Sequence, residues 1–232
     1  MWVTLMRLDK FLSDCNVGTR SEIKKIINNG CIMVGDTIAK KANIQITLDA
    51  DIITYNGRII QYEKYVYYLL NKPSGYVSAT KDNLNDTVID LLKSENRDDL
   101  FPVGRLDIDT EGLLLITNDG KFAHDMLSPK KHVSKTYYAI IDGNVTDKDI
   151  TKFNKGIKLS DFTTKPAELE IISHINDYES EVFVTIKEGK FHQIKRMFHA
   201  IDMEVKYLKR VSMGDIILPD TLNVGEYIKI YL

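Results

Sequence analysis

Residues 103–120 read VGRLDIDTEGLLLITNDG. The charged turn Arg105-Leu106-Asp107-Ile108-Asp109-Thr110 leads through Glu111 and Gly112 into the apolar run Leu113 to Thr117, which Asn118-Asp119-Gly120 breaks. A short apolar run bounded by turn residues reads as a buried strand. An arginine and two carboxylates therefore stand at the mouth of a core strand. Burying an unpaired charge is costly, so these groups must find partners or stay wet. The turn is either a functional site or a salt-bridged corner, and spacing alone does not separate the two.

Working outward, Tyr65 to Leu70 reads as the preceding strand, and Lys72-Pro73-Ser74-Gly75 as a tight turn. Val88 to Leu92 opens an apolar helical face. Phe122 to Leu127 is a short helix stopped by Ser128-Pro129, and Lys130-Lys131-His132 is a basic cluster. Tyr138 to Asp142 is a strand, Thr146 to Asn154 a polar helix closed by Gly156, and strands follow from Lys165 to Ile172 and from Ser180 to Lys187. Ile194, Met197, Phe198 and Ile201 form the apolar face of a helix. Three strands, Val205–Lys209, Asp215–Leu218 and Glu226–Tyr231, complete the chain. Strands joined by short turns with few helices between them give an α+β class and a mainly antiparallel sheet.

The first sixty residues have a different grain. Leu5, Leu8, Phe11 and Leu12 recur at helical spacing over Leu5–Leu12, ended by Asn16 and Gly18. Thr19-Arg20-Ser21-Glu22 has the form of a capping box and opens a second helix, closed by Asn29-Gly30. Cys31 to Val34 is a strand, and Asn56-Gly57 turns a hairpin between Ile52–Tyr55 and Arg58–Ile60. The polar stretch Gln61-Tyr62-Glu63-Lys64 separates domains 1–62 and 63–232.

The 232 residues carry 31 Lys+Arg and 33 Asp+Glu, a formal net charge of −2. Residues 1–60 hold 8 basic and 6 acidic groups, so the small basic excess is N-terminal. Any nucleic-acid binding must use local patches rather than the field of the whole protein. No apolar run reaches about 18 residues, which argues against a membrane-spanning helix. Met1 to Lys10 lacks the apolar core of a signal peptide, so a cytoplasmic location is expected. Cys15 and Cys31 lack the spacing of a zinc site or disulfide framework and read as buried free thiols. His192 and His199 have no third ligand, so no metal is expected. The absence of a phosphate-cradling glycine motif argues against a nucleotide cofactor.

Gly104-Arg105-Leu106-Asp107, with Thr110, Gly112 and Thr117-Asn118-Asp119-Gly120, resembles the central motif of the RsuA family of pseudouridine synthases. The likeness runs along nearly the whole chain. Lys72-Pro73-Ser74-Gly75 resembles that family's first motif, Lys135-Thr136-Tyr137 its Lys-x-Tyr motif, and Gly189-Lys190-Phe191-His192-Gln193-Ile194-Lys195-Arg196-Met197 its third. Met6–Leu12 and the Thr19-Arg20-Ser21 helix start resemble the small RNA-binding domain named after ribosomal small-subunit protein four.

The resemblance implies isomerisation of a uridine in RNA to pseudouridine, without cofactor or metal. It makes Asp107 the catalytic carboxylate, Lys195 its paired cation and Tyr137 the residue facing the target base. It gives Ile194 a packing role beneath the base and places Arg105, His192 and Lys72 against the substrate. Arg7, Lys10, Arg20, Lys24 and Lys25 become the candidate RNA contacts, through charge neutralisation and counterion release. Tyr137 and Tyr138 point to opposite faces of a strand, so only one of them can serve. The implied partner is ribosomal RNA, most like 16S RNA, either bare or in a partly assembled subunit, acted on by a monomer. A 23S RNA enzyme of the same family, a non-catalytic assembly factor and a metal hydrolase using Asp107 and Asp109 are the competing readings.

Overall fold

The structure is a computed structural model describing residues 4–48 and 50–232. The chain divides into two compact units, Met1–Tyr65 with Leu91–Leu100, and Val66–Asp90 with Phe101–Leu232.

In the first unit, β1 (Leu5–Arg7) precedes α1 (Leu8–Asp14) and α2 (Arg20–Asn28). The helix expected from Leu5 thus starts at Leu8. Leu5–Arg7 is instead a strand antiparallel to β4 (Gln45–Thr47), with Met6 opposite Ile46. Leu8, Phe11 and Leu12 are buried while Leu5 is exposed, so the helical periodicity belongs to the last three. The capping box forms as expected, with Thr19 Oγ1 accepting from the Glu22 amide and the Glu22 carboxylate accepting from the Thr19 amide. Strands β2 (Ile32–Val34), β3 (Thr37–Ile38), β5 (Ile53–Tyr55) and β6 (Arg58–Ile59) make a second sheet in the order β3-β2-β5-β6. Asn56 and Gly57 both have positive φ, 49° and 78°, as a type I′ hairpin turn requires. Leu8, Leu12, Ile23, Ile27, Ile32, Ile46 and Ile53 form the core. Both cysteines are half-buried thiols outside any disulfide, less covered than the sequence suggests.

Residues 91–100 join this unit through a buried arginine. Arg97 makes a two-pronged pair with Asp99 and donates from Nη1 to the Asp14 and Glu63 carbonyls. The α-helical face expected to open at Val88 is a 3-10 helix, Asp90–Glu95, kinked at Leu92.

The second unit is built on a nine-stranded sheet. Its strands are β7 (Tyr67–Lys72), β8 (Phe101–Pro102), β9 (Glu111–Thr117), β10 (Lys135–Asp142), β11 (Glu168–Asn176), β12 (Glu179–Ile186), β13 (Glu204–Met213), β14 (Ile216–Ile217) and β15 (Tyr227–Ile230). The main order is β11-β12-β10-β13-β9-β7-β15, with β14 on β13 and β8 on β9. Helices α3 (Gly120–Leu127), α4 (Asp147–Lys155) and α5 (Gln193–His199) cover it, and Phe153 of α4 meets Phe198 of α5 at 5.0 Å between ring centroids. Leu113–Ile116 are almost wholly buried, so the apolar run after Gly112 is a core strand. The sheet is antiparallel as expected, except where β9 and β13 run parallel at Glu111–Lys209 and Gly112–Arg210. No helix among the described residues is long and apolar enough to cross a membrane.

That parallel junction depends on Gly112. Its φ is +98°, and a Cβ there would collide with the Arg210 backbone. Gly112→Ala is expected to lower stability by about 3 kcal/mol or more, from strain plus the clash. Denaturant unfolding of the full chain checks this, and an unchanged midpoint would mean the two strands are not held so closely.

Candidate active site

The turn after Gly104 is braced from below by the Lys72–Ser78 segment. Lys72 ends β7 beside Gly112 of β9, and its side chain lies wholly inside the protein. Its ammonium donates to the carbonyls of Pro73, Ile108 and Thr110 at 2.9, 3.2 and 2.9 Å. The Gly75 amide donates to the Ile108 carbonyl, and Ser78 Oγ both accepts from the Leu106 amide and donates to its carbonyl. Burial pulls the Lys72 pKa down to about 8, against the pull of Asp109, Glu111 and Asp107. Lys72 therefore does not reach RNA, contrary to the expectation from sequence. A buried ammonium satisfied by three carbonyls is a brace, and it holds the backbone on the C-terminal side of Asp107.

From above, the α5 segment supplies the cations. Lys195 Nζ lies 3.5 Å from Asp107 Oδ2, but 2.6 and 2.8 Å from the two oxygens of Asp109. The expected pair is thus a three-way cluster in which Asp109 holds Lys195 more tightly than Asp107 does. Burial pushes Asp109 up, yet the hydrogen bonds and charge of Lys195 outweigh it and hold its carboxyl below the usual range. His192 Nε2 approaches Asp107 Oδ1 at 3.7 Å. His192 is left-handed, at φ 47° and ψ 32°, and stands at the N-cap of α5. Non-glycine residues in that region concentrate at functional sites.

A cavity of about 300 Å³ opens over these groups, lined by Arg105, Asp107, Tyr137, His192, Ile194 and Lys195 among others. Tyr137 lies on β10 opposite Val184 and Arg210 and is nearly buried, whereas Tyr138 points the other way and donates to Glu181 at 2.6 Å. Arg105 is exposed at the rim, and Ile194 forms part of the apolar wall. Six sequence-derived candidates thus share one cavity, and Lys72 stands beneath it. Among the described residues no group of three His, Cys, Asp or Glu side chains is placed to hold a metal ion.

Residues 66–200 match the family model described as RNA pseudouridylate synthase, and residues 6–53 match the S4 domain. The chain belongs to the RNA pseudouridylate synthase family. A Bacillus subtilis protein named uncharacterized RNA pseudouridine synthase YtzG is 42% identical over 224 residues, covering 96% of this chain and 93% of its own. The ribosomal small subunit pseudouridine synthase A of Vibrio parahaemolyticus is 39% identical, with 96% and 94% covered. A solved structure titled as that of a pseudouridylate synthase superposes with a TM-score of 0.65 at 35% identity, covering 97% and 96%. The protein is an RsuA-type pseudouridine synthase, and hence an isomerase.

Arg210 and Lys135 also line the synthase cavity, and the sequence reading gives neither a role. Arg210 is buried, donates from Nε to the Leu113 carbonyl at 2.7 Å, and its Nη2 has no hydrogen-bond partner among the described residues. Lys135 is also buried and donates to the Val133 carbonyl, and burial and then the Arg210 charge lower its pKa. Lys135 was legible as the first residue of Lys-x-Tyr; nothing local marks Arg210, which β13 delivers from far along the chain. In the S4 unit, a groove of about 470 Å³ gathers Arg7, Lys10, Arg20 and Lys24, with Lys25 outside it. Arg7 is bonded to Asp9 and Lys10 to Asp14, while Arg20 lies 3.3 Å from Asp98. Lys24 and Lys25 are exposed and hydrogen-bonded to no carboxylate among the described residues.

Proposed function

We propose that this synthase isomerises a specific uridine of 16S ribosomal RNA in the cytoplasm, with Asp107 as the reacting carboxylate. The observation that carries the reading is the convergence of Lys195, His192 and Tyr137 on Asp107 within one cavity. The 16S assignment is supported by full-length relatives named ribosomal small subunit pseudouridine synthase A.

The uridine leaves its stack to enter the cavity. Asp107 attacks either the anomeric carbon of the ribose or the uracil ring. The bond from N1 to the ribose breaks, the uracil turns, and a bond forms from C5 to the same ribose carbon. C5 loses a proton and N1 gains one, so no atom is gained or lost overall. Lys195 stabilises the ionised Asp107 and shares itself with Asp109, a charge-assisted arrangement that fixes the reacting oxygen. Tyr137 stacks on the uracil above Ile194.

Carbodiimide-based mapping of pseudouridine in ribosomal RNA, from cells with and without the gene, tests the reading. One signal lost from 16S RNA and restored by the wild type supports it. A signal lost from 23S RNA instead overturns the 16S assignment, and no lost signal overturns both.

The S4 unit is assigned the RNA backbone. Lys24 and Lys25 are the cations least occupied by neighbouring carboxylates, so they are the first to neutralise phosphates. Each phosphate contact contributes roughly 0.7–0.9 to the slope of log affinity against log salt. Lys24→Gln with Lys25→Gln is expected to reduce that slope by about 1.5. A salt titration of RNA binding reads it, and an unchanged slope would remove these two lysines from the interface.

A further inference from the structure

We infer that Phe191 is a stacking platform for the nucleobase beside the target uridine, exposed between Lys190 and His192, two residues that line the cavity. The inference rests on the reading of Asp107 as the reacting group.

Phe191 is 75% exposed. Its ring lies flat on His192, with centroids 3.7 Å apart and planes within 18°. One face is therefore covered by imidazole and the other is open. His192 is the same residue whose Nε2 stands 3.7 Å from Asp107. The aromatic pair thus begins at the reacting carboxylate and projects outward from it.

A single exposed apolar side chain is common on any protein and by itself means little. The surroundings of Phe191 make the difference. Gln193 is buried and staples the loop on both sides. It accepts from the Lys190 amide through its side chain, its own amide donates to the Lys190 carbonyl, and its Nε2 donates to Glu188. Lys190 lies over the Phe162 ring at 3.4 Å from the centroid, a cation–π contact that engages its ammonium. His192 holds a left-handed backbone at φ 47°. Gln193, Lys190 and His192 thus each have a partner in or beside the loop, while the phenyl ring stands exposed.

A rigid exposed ring is suited to nucleobases, since every base has a π-face. Because its position is already fixed, binding spends little ordering entropy. When the target uridine enters the cavity it vacates its stack, and an adjacent base loses a neighbour. Phe191 replaces that neighbour. A base stacked on an aromatic is worth about 5- to 150-fold in affinity, as read by alanine substitution.

The test uses the full-length protein and an RNA fragment spanning the mapped uridine. Binding and turnover are measured for wild type, Phe191→Ala and Phe191→Tyr on intact RNA. They are repeated on two RNAs with an abasic residue immediately 5′ or 3′ of the target. Phe191→Ala is expected to weaken binding and raise KM by about 5- to 150-fold, with most of the loss in KM rather than in kcat, while Phe191→Tyr recovers binding. On one abasic RNA the wild type is expected to lose a similar factor and Phe191→Ala to lose nothing further. Wild-type affinity in Phe191→Ala, or the same loss on both abasic RNAs as on intact RNA, would overturn the platform. Absence of wild-type turnover on intact RNA would instead sink the reading of the reaction, so the two failures are distinguishable.

Discussion

Asp107→Asn is expected to abolish turnover, by about four orders of magnitude or more, while leaving folding and RNA affinity close to wild type. The magnitude follows from removing a reacting group whose role no neighbour can assume. Asp109 is the other carboxylate on Lys195 among the described residues, and it is committed to that ammonium at 2.6 and 2.8 Å. The fold should survive because the amide keeps the shape of the carboxylate. The side chain of Asp107 is partly exposed, and its contact to Lys195 is the longer of the two at 3.5 Å. The backbone of the turn is held independently, by Ser78 at Leu106 and by Lys72 and Gly75 at Ile108. Single-turnover assays, thermal unfolding and RNA-binding titrations on the same preparation separate the possibilities. Coupled loss of folding and activity would return the turn to its plainer reading as a salt-bridged corner.

The parts of this molecule legible in the sequence are those whose cause is local. The capping box at Thr19 and Glu22, the Asn56-Gly57 hairpin and the core strand after Gly112 each depend on residues a few positions apart. The same holds for the face of Tyr137, because alternation along a strand is a local rule. What the sequence does not reveal are choices made between distant segments. Whether Lys195 prefers Asp107 or Asp109 is settled by where α5 meets the turn, and the two carboxylates are only two residues apart. Leu5 has the right spacing for a helix but pairs with Thr47. Residues 91–100 join the first unit because the Arg97 guanidinium finds its acceptors there. Arg210 reaches the cavity only because Gly112 lets two parallel strands meet.

Lys72→Met is expected to lower kcat by about 10²-fold with RNA affinity little changed, because it loosens the turn that carries Asp107 without touching the RNA-binding surface. A misplacement of about 1 Å at a reacting group is enough for a loss of that size. Methionine matches the length of the lysine stem but donates nothing to the carbonyls of Pro73, Ile108 and Thr110. The Ile108 carbonyl keeps its bond from the Gly75 amide, whereas the buried Thr110 carbonyl loses the donor identified for it. Two effects on stability oppose each other. A buried ammonium is relieved, and a buried acceptor is left unpaired, so the net change near neutral pH should be small. The pH dependence separates them. Lys72 in the folded protein titrates at about 8, below the ordinary lysine value of 10.5. Between those two values the unfolded chain binds more protons than the folded one, so stability contributed by this group rises with pH across that window. Below about 8 the cost of the buried charge is fully present. The wild type should therefore gain stability relative to Lys72→Met between pH 8 and 10.5, and the two should run parallel below pH 7. Parallel curves over the whole range would mean that burial does not lower the Lys72 pKa and that the ammonium carries no net cost in the fold. Unimpaired kcat would mean that the turn needs no brace from β7, leaving the Ser78 and Gly75 bonds to position Asp107.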